Sequence, residues 1–346
     1  MIIVMQAGAS EPQIQRVVAR LTELGYEHHI SYGVEHTLIG AVGAPEGEKE
    51  ALAGQLSLLP GVERVVPILR PYKLVSREHA TEPSVVRIGK APFGRGQVSI
   101  IAGPCAIESE KQILEAAKAV KAAGGAVLRG GAYKPRTSPY TFQGMGEPGL
   151  QLLSAAREAT GLPILTEVTD VRQLEEVTRV ADSVQIGARN MQNYDLLREC
   201  GQISKPVVLK RGFAATVQEW LRAAEYIAAA GNLDIILCER GIRTFETETR
   251  FTLDLGGLAA AKLETHLPII ADPSHATGTH KLVPAMALAA LAAGADGLMI
   301  EMHPHPDRAL SDGPQSLTPK RLKTLMDQIR PLVAALGLEL ISPERG

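Results

Sequence analysis

The stretch VSIIAGPCAIESEKQILEAAKAVKAAGGAVLRGG, residues 98–131, decides the fold. It opens on a short apolar β-prone run (VSIIAG, 98–103), passes through a helical pattern closed by glycine, and ends on a second apolar run (AVLRGG, 126–131). The rhythm repeats through PILTEV (163–168), SVQIGA (183–188), PVVLKR (206–211), DIILCER (234–240), PIIAD (268–272) and GLMIEMH (297–303). Helical patterns such as TVQEWLRAAEYIAAAG lie between the runs, and TPKRLKTLMDQIRPLVAALG follows the last. Eight βα units in residues 98–346 predict a (β/α)8 TIM barrel, for which about 250 residues is usual. A doubly wound sheet is the rival, but no G-x-G-x-x-G follows the first run.

Outward from the barrel, residues 1–70 read β-α-β-β-α-β, a small ferredoxin-like domain in this α/β chain. Residues 71–97 are rich in Pro, Gly and charge and read as a linker with room for a short hairpin or strand. The whole chain has 346 residues, 45% of them hydrophobic, and a net charge of −2, which gives no electrostatic reason to expect nucleic acid or an anionic membrane. The longest apolar stretch, 282–295, is 14 residues, short of the roughly 20 that span a bilayer. The N-terminus carries no basic region ahead of its apolar residues, and Cys105, Cys200 and Cys238 lack C-x-x-C spacing, so reduced thiols in the cytoplasm are expected.

Barrel active sites lie at the C-terminal strand ends. Those ends carry Arg129, Glu167, Arg189, Lys210, Arg240, Asp272 and Glu301, and the loop after the second run adds Lys134 and Arg136. Single charges there are ordinary loop polarity, but these are sorted by type. Two like charges 4 Å apart repel by roughly 4 kcal/mol at an effective dielectric of about 20, so converging cations imply an anionic ligand. Guanidinium forks suit phosphate and carboxylate oxygens. Lys210 and Arg211 point to opposite faces of their strand; Lys210 is assigned to the site and Arg211 to a structural pairing.

Cys105, His275 and Glu301 follow runs one, seven and eight, neighbours only in a closed barrel, and Asp312 lies in the next loop. One thiolate, one imidazole and two carboxylates suit a divalent metal. The plainer readings are a buried thiol, an imidazole bonded to Asp272 and a turn cap; His303, two residues beyond Glu301, is a further candidate ligand.

GPCAIES (103–109), KPRTSPYTFQG (134–144), QIGARNMQN (185–193), LKRG (209–212), LCERGIRTFE (237–246), DPSHATG (272–278) and the E-x-H to SDGPQSL segment (301–317) together resemble 3-deoxy-D-arabino-heptulosonate 7-phosphate (DAHP) synthase. With residues 1–70, the chain is similar to the type I-beta form with its regulatory domain. The resemblance implies condensation of phosphoenolpyruvate with erythrose 4-phosphate, the first step of the shikimate route. It implies one divalent ion (Mn, Fe, Co, Zn or Cd) on Cys105, His275, Glu301 and Asp312. It further implies phosphoenolpyruvate on Arg129, Lys134, Gly187, Ala188, Arg189, Lys210 and Arg240, and the erythrose phosphate on Arg136 and Thr137. Lys134 is the expected acid at the developing alkoxide and His303 a proton relay; for activation of the attacking water, Glu167, Lys210 and water on the metal all remain open. His29 and Ser31 match contacts for a tyrosine or phenylalanine effector, and polar residues on an exposed strand are the alternative. The family is generally tetrameric. The sister 3-deoxy-D-manno-octulosonate 8-phosphate synthase, which takes arabinose 5-phosphate, typically has an Asn-Arg-Ser-type segment where this chain has Lys134-Pro135-Arg136-Thr137. A catalytically silent amino-acid sensor is the remaining reading, disfavoured by the intact metal and cation sets.

Overall fold

The computed structural model describes residues 1–33, 35–43, 48–66, 72–135, 138 and 140–343, leaving aside the side chain of residue 50. The chain divides into two compact units, Met1–Pro71 and Tyr72–Gly346.

The first unit runs β1 (Ile2–Met5), α1 (Glu11–Glu23), β2 (Glu27–Tyr32), β3 (Thr37–Val42), α2 (Lys49–Ser57) and β4 (Val62–Val66). Its antiparallel sheet has the order β2-β3-β1-β4, the ferredoxin-like arrangement. Helix α1 starts at Ser10, whose capping box with Gln13 satisfies free N–H groups at the helix start. Ile14, Val17 and Leu21 recur at helical spacing, so one face of α1 is apolar and packs on Ile3, Met5 and Ile39.

The second unit opens on a hairpin, β5 (Val86–Ile88) and β6 (Ala91–Phe93). The barrel strands follow: β7 (Gln97–Gly103), β8 (Val127–Arg129), β9 (Ile164–Val168), β10 (Ser183–Ile186), β11 (Val207–Lys210), β12 (Ile235–Glu239), β13 (Ile269–Ala271) and β14 (Gly297–Glu301). They pair in sequence order, all parallel, and β14 closes the ring on β7 from Gly297 opposite Ser99 to Glu301 opposite Gly103. All eight apolar runs of the sequence are barrel strands.

Side chains alternate along each strand. Ile100, Leu209 and Leu237 face the surrounding helices, while Ile101, Val127, Leu165, Val208, Ile236, Ile270 and Met299 face the interior. Val86, Ile88, Ala91 and Phe93 of the hairpin belong to that interior cluster, so the segment read as a linker contributes buried residues to the barrel core. Two residues beyond the interior layer, the same alternation turns Arg129, Glu167, Lys210, Asp272 and Glu301 inward at the C-terminal rim. Among the described residues, no helix is long and apolar enough to cross a membrane.

Candidate active site

A cavity of about 300 Å³ opens at that rim, lined among others by Cys105, Arg129, Lys134, Glu167, Lys210, Arg240, His275 and Asp312. In one corner, a donor atom from each of Cys105, His275, Glu301 and Asp312 lies within 4.8 Å of every other. Cys105 Sγ is 3.1 Å from Asp312 Oδ2, and His275 Nε2 is 3.3 Å from Glu301 Oε1 and 3.9 Å from Asp312 Oδ2.

Each donor is held by a neighbour. Asp272 caps the helix of His275 by accepting from its backbone N–H, and its Oδ2 lies 2.6 Å from His275 Nδ1, leaving Nε2 turned into the corner. Glu301 accepts from Arg129 Nη1 at 2.7 Å and from Gln315 Nε2 at 2.5 Å. Asp312 sits in the left-handed region (φ 54°), an unfavourable setting for a non-glycine residue, and accepts from Arg250 Nη1 at 3.2 Å. Burial, then Glu301, push the Cys105 thiol up to about 12, and burial lowers His275. Burial opposes the charge of Asp312, but His275, the Cys105 bond and Arg250 outweigh it and hold the carboxyl well below its usual range. Soft sulfur, imidazole and two carboxylates gathered this closely fit a divalent cation, which would relieve their mutual repulsion.

The rest of the cavity is basic. Arg129, Lys134, Lys210 and Arg240 are all buried, and the Arg189 side chain reaches the cavity from an exposed residue. Lys134 Nζ donates to the Cys105 carbonyl at 2.9 Å and lies 3.7 Å from Glu167. Lys210 Nζ donates to Asp272 Oδ2 at 2.6 Å, so one carboxylate ties the basic wall to His275. Arg211 turns outward to Glu239 and Asp254. Gly187 and Ala188 form the turn after β10; a Cβ on Gly187 would lie 2.1 Å from Glu167 Oε1, so a side chain there would push that carboxylate aside.

Arg136 and Thr137 lie outside the described residues. His303 is not among the four converging donors: its Nε2 faces Glu108 at 3.4 Å and its Nδ1 accepts from the His305 backbone. His29 and Ser31 are exposed, two residues apart on β2, an edge strand of the first unit. Sequence reasoning did not single out Gln315, Arg250 or Phe213; Gln315 was within the SDGPQSL segment, but nothing local marked it as a partner of Glu301.

Two family models match the chain: the DAHP synthetase I family over residues 79–335 and the DAHP synthase ferredoxin-like domain over residues 1–70. The chain belongs to the DAHP synthetase I family. The phospho-2-dehydro-3-deoxyheptonate aldolase of Thermotoga maritima is 47% identical over 340 residues, covering 98% of this chain and 100% of that protein. A crystal structure of that enzyme matches with a TM-score of 0.90 at 46% identity, covering 98% of each chain. The 2-dehydro-3-deoxyphosphooctonate aldolase of Syntrophotalea carbinolica is 33% identical, over 71% of this chain and 95% of its own. Full-length coverage thus goes with the heptonate member of the DAHP synthetase I family, and the enzyme class follows: a synthase of the DAHP type on a TIM barrel.

Proposed function

We propose that this chain condenses phosphoenolpyruvate with erythrose 4-phosphate, in a metal-dependent reaction, to give DAHP and inorganic phosphate. The observation that carries the reading is the meeting, in one cavity, of a four-donor metal corner with a buried basic wall. Cys105, His275, Glu301 and Asp312 would hold the ion, which when bound supplies Lewis-acid polarisation of an aldehyde oxygen.

Arg129, Lys134, Arg189, Lys210 and Arg240, with the backbone at Gly187 and Ala188, bind the phosphate and carboxylate of phosphoenolpyruvate. Arg136 and Thr137 take the phosphate of the four-carbon sugar. Holding both substrates on one rigid rim brings C3 of the enol ether against the aldehyde carbon, which offsets the weakness of that nucleophile. Lys134, fixed by the Cys105 carbonyl and near Glu167, delivers a proton to the oxygen that gains charge as the C–C bond forms. Water then adds at C2, and the hemiketal phosphate collapses to the ketone with loss of phosphate. In this reading Glu167, a carboxylate that lines the cavity beside Lys134, receives the proton of that water. His303 has no substrate contact in this scheme.

The ferredoxin-like unit binds an aromatic amino acid, tyrosine or phenylalanine, through His29 and Ser31, and the enzyme works as a cytoplasmic homotetramer. Three free buried thiols support the compartment. The test is phosphate release with each aldehyde, with and without tyrosine or phenylalanine, on the wild type and on H29A and S31A. Erythrose 4-phosphate as the productive acceptor, with inhibition lost in the two variants, supports the reading; arabinose 5-phosphate as the better acceptor replaces it by the octulosonate reaction.

A further inference from the structure

Arg240 differs from its basic neighbours. Arg129 is neutralised by Glu301 at 2.7 Å, Lys210 by Asp272 at 2.6 Å, and Lys134 lies 3.7 Å from Glu167. Arg240 is 4% exposed, and its Nη1 is buried without a hydrogen-bond partner among the described residues. Burial draws its pKa down to about 10, with Asp272 opposing the fall.

What lies against this guanidinium is aromatic. Its central carbon is 4.8 Å from the ring centroid of Phe213 and 4.4 Å from that of Phe251, and the two rings stack 5.0 Å apart and 8° from parallel. The chain builds this pair deliberately. Gly241 (φ 93°) lets the loop after β12 fold back, and a Cβ there would lie 2.7 Å from Cβ of Phe251. The Phe251 N–H donates to Ala276 O at 2.7 Å, and the Arg243 N–H to Phe213 O at 2.6 Å. Both phenylalanines remain partly exposed, so core filling does not account for them.

An aromatic face attracts a cation through its quadrupole but takes up none of the in-plane N–H donors. A carboxylate in the same place would occupy those donors and compete with an incoming anion. We propose that Phe213 and Phe251 are positioning residues, a stacked pair that steadies the buried Arg240 charge while leaving its Nη1 open to the phosphate or carboxylate of the three-carbon substrate. The inference rests on the proposed function for the identity of that anion.

The experiment compares F213L and F251L with F213Y and F251Y in the full chain. It reads inorganic phosphate and phosphoenolpyruvate binding by calorimetry, KM and kcat for each substrate, and the melting temperature. Each leucine is expected to weaken phosphate and phosphoenolpyruvate about tenfold, and each tyrosine to stay within about twofold. KM for the aldehyde and the melting temperature should not move, and F251L should add nothing in an R240Q background. Leucine variants that bind as wild type, equal losses with leucine and tyrosine, or an undiminished F251L effect without Arg240 would overturn the inference. Aromatic dependence of phosphate binding in a chain that does not condense the two substrates would sink the proposed reaction and leave this inference standing.

Discussion

Replacing Asp272 by asparagine tests the link between the two halves of the cavity. Asp272 is fully buried and accepts from Lys210 Nζ and His275 Nδ1, each at 2.6 Å, and from the His275 backbone N–H at 3.0 Å. Unit charges 2.6 Å apart attract by roughly 6 kcal/mol at an effective dielectric of about 20, and most of that offsets desolvation. Removing one partner leaves the Lys210 charge buried and unpaired, so the unfolding free energy of the second unit should fall by about 3–5 kcal/mol. If the new amide keeps its oxygen on the His275 backbone, its NH2 group faces Lys210 and Nδ1. The imidazole must then carry its proton on Nε2, the nitrogen turned toward Glu301 and Asp312. Loss of that supporting bond should weaken divalent-ion binding about 10- to 100-fold. Guanidinium unfolding of metal-free protein and calorimetric titration with manganese or zinc read the two effects separately. A D272N protein with an unshifted midpoint and ion affinity within twofold of wild type would refute the reasoning.

Three further outcomes follow from the same geometry. Because the Cys105 thiol is pushed up to about 12 while His275 is lowered, ion binding near neutral pH should release about one proton, and affinity should rise with pH and fall in acid; titration in weak buffer measures it, and no release in wild type, or equal release in C105A, counts against thiolate ligation. A G187A chain, whose Cβ would lie 2.1 Å from Glu167 Oε1, must swing that carboxylate aside and should bind phosphoenolpyruvate more weakly, by up to about tenfold, and an unchanged affinity by calorimetry would contradict the packing. A chain beginning at Gly96 loses Val86, Ile88 and Phe93, each worth roughly 1.5–3 kcal/mol of burial, whereas one beginning at Tyr72 keeps them. The shorter chain should lose its cooperative melt and the longer one retain it, as read by calorimetry; a cooperative melt of the shorter chain would contradict the hairpin's role.

The barrel was legible because parallel strands covered on both faces read as continuous apolar runs, and the rim residues followed from a period of two. The linker was read with room for a hairpin, but the burial of that hairpin in the barrel core was not legible, because three-residue strands such as Val86–Ile88 are too short to display a period inside a stretch rich in Pro, Gly and charge. A period of two grouped His303 with Glu301, but its ring faces Glu108, a loop residue that no strand pattern brings beside it. Gln315, Arg250 and the Phe213–Phe251 stack escaped notice because they sit outside the strands and long helices, where no repeating pattern links a residue to its partner. Asp272 was noticed as a partner for His275, but its second bond, to Lys210 on β11, could be read only from the closed ring.

The central claim is that one rim joins a divalent-ion corner to a basic wall for the condensation of two phosphorylated substrates. The most direct measurement is phosphate release from phosphoenolpyruvate with erythrose 4-phosphate, before and after removal of metal by a chelator. Release should stop in chelator and return with added manganese or zinc. Release at full rate in metal-free protein would contradict the claim.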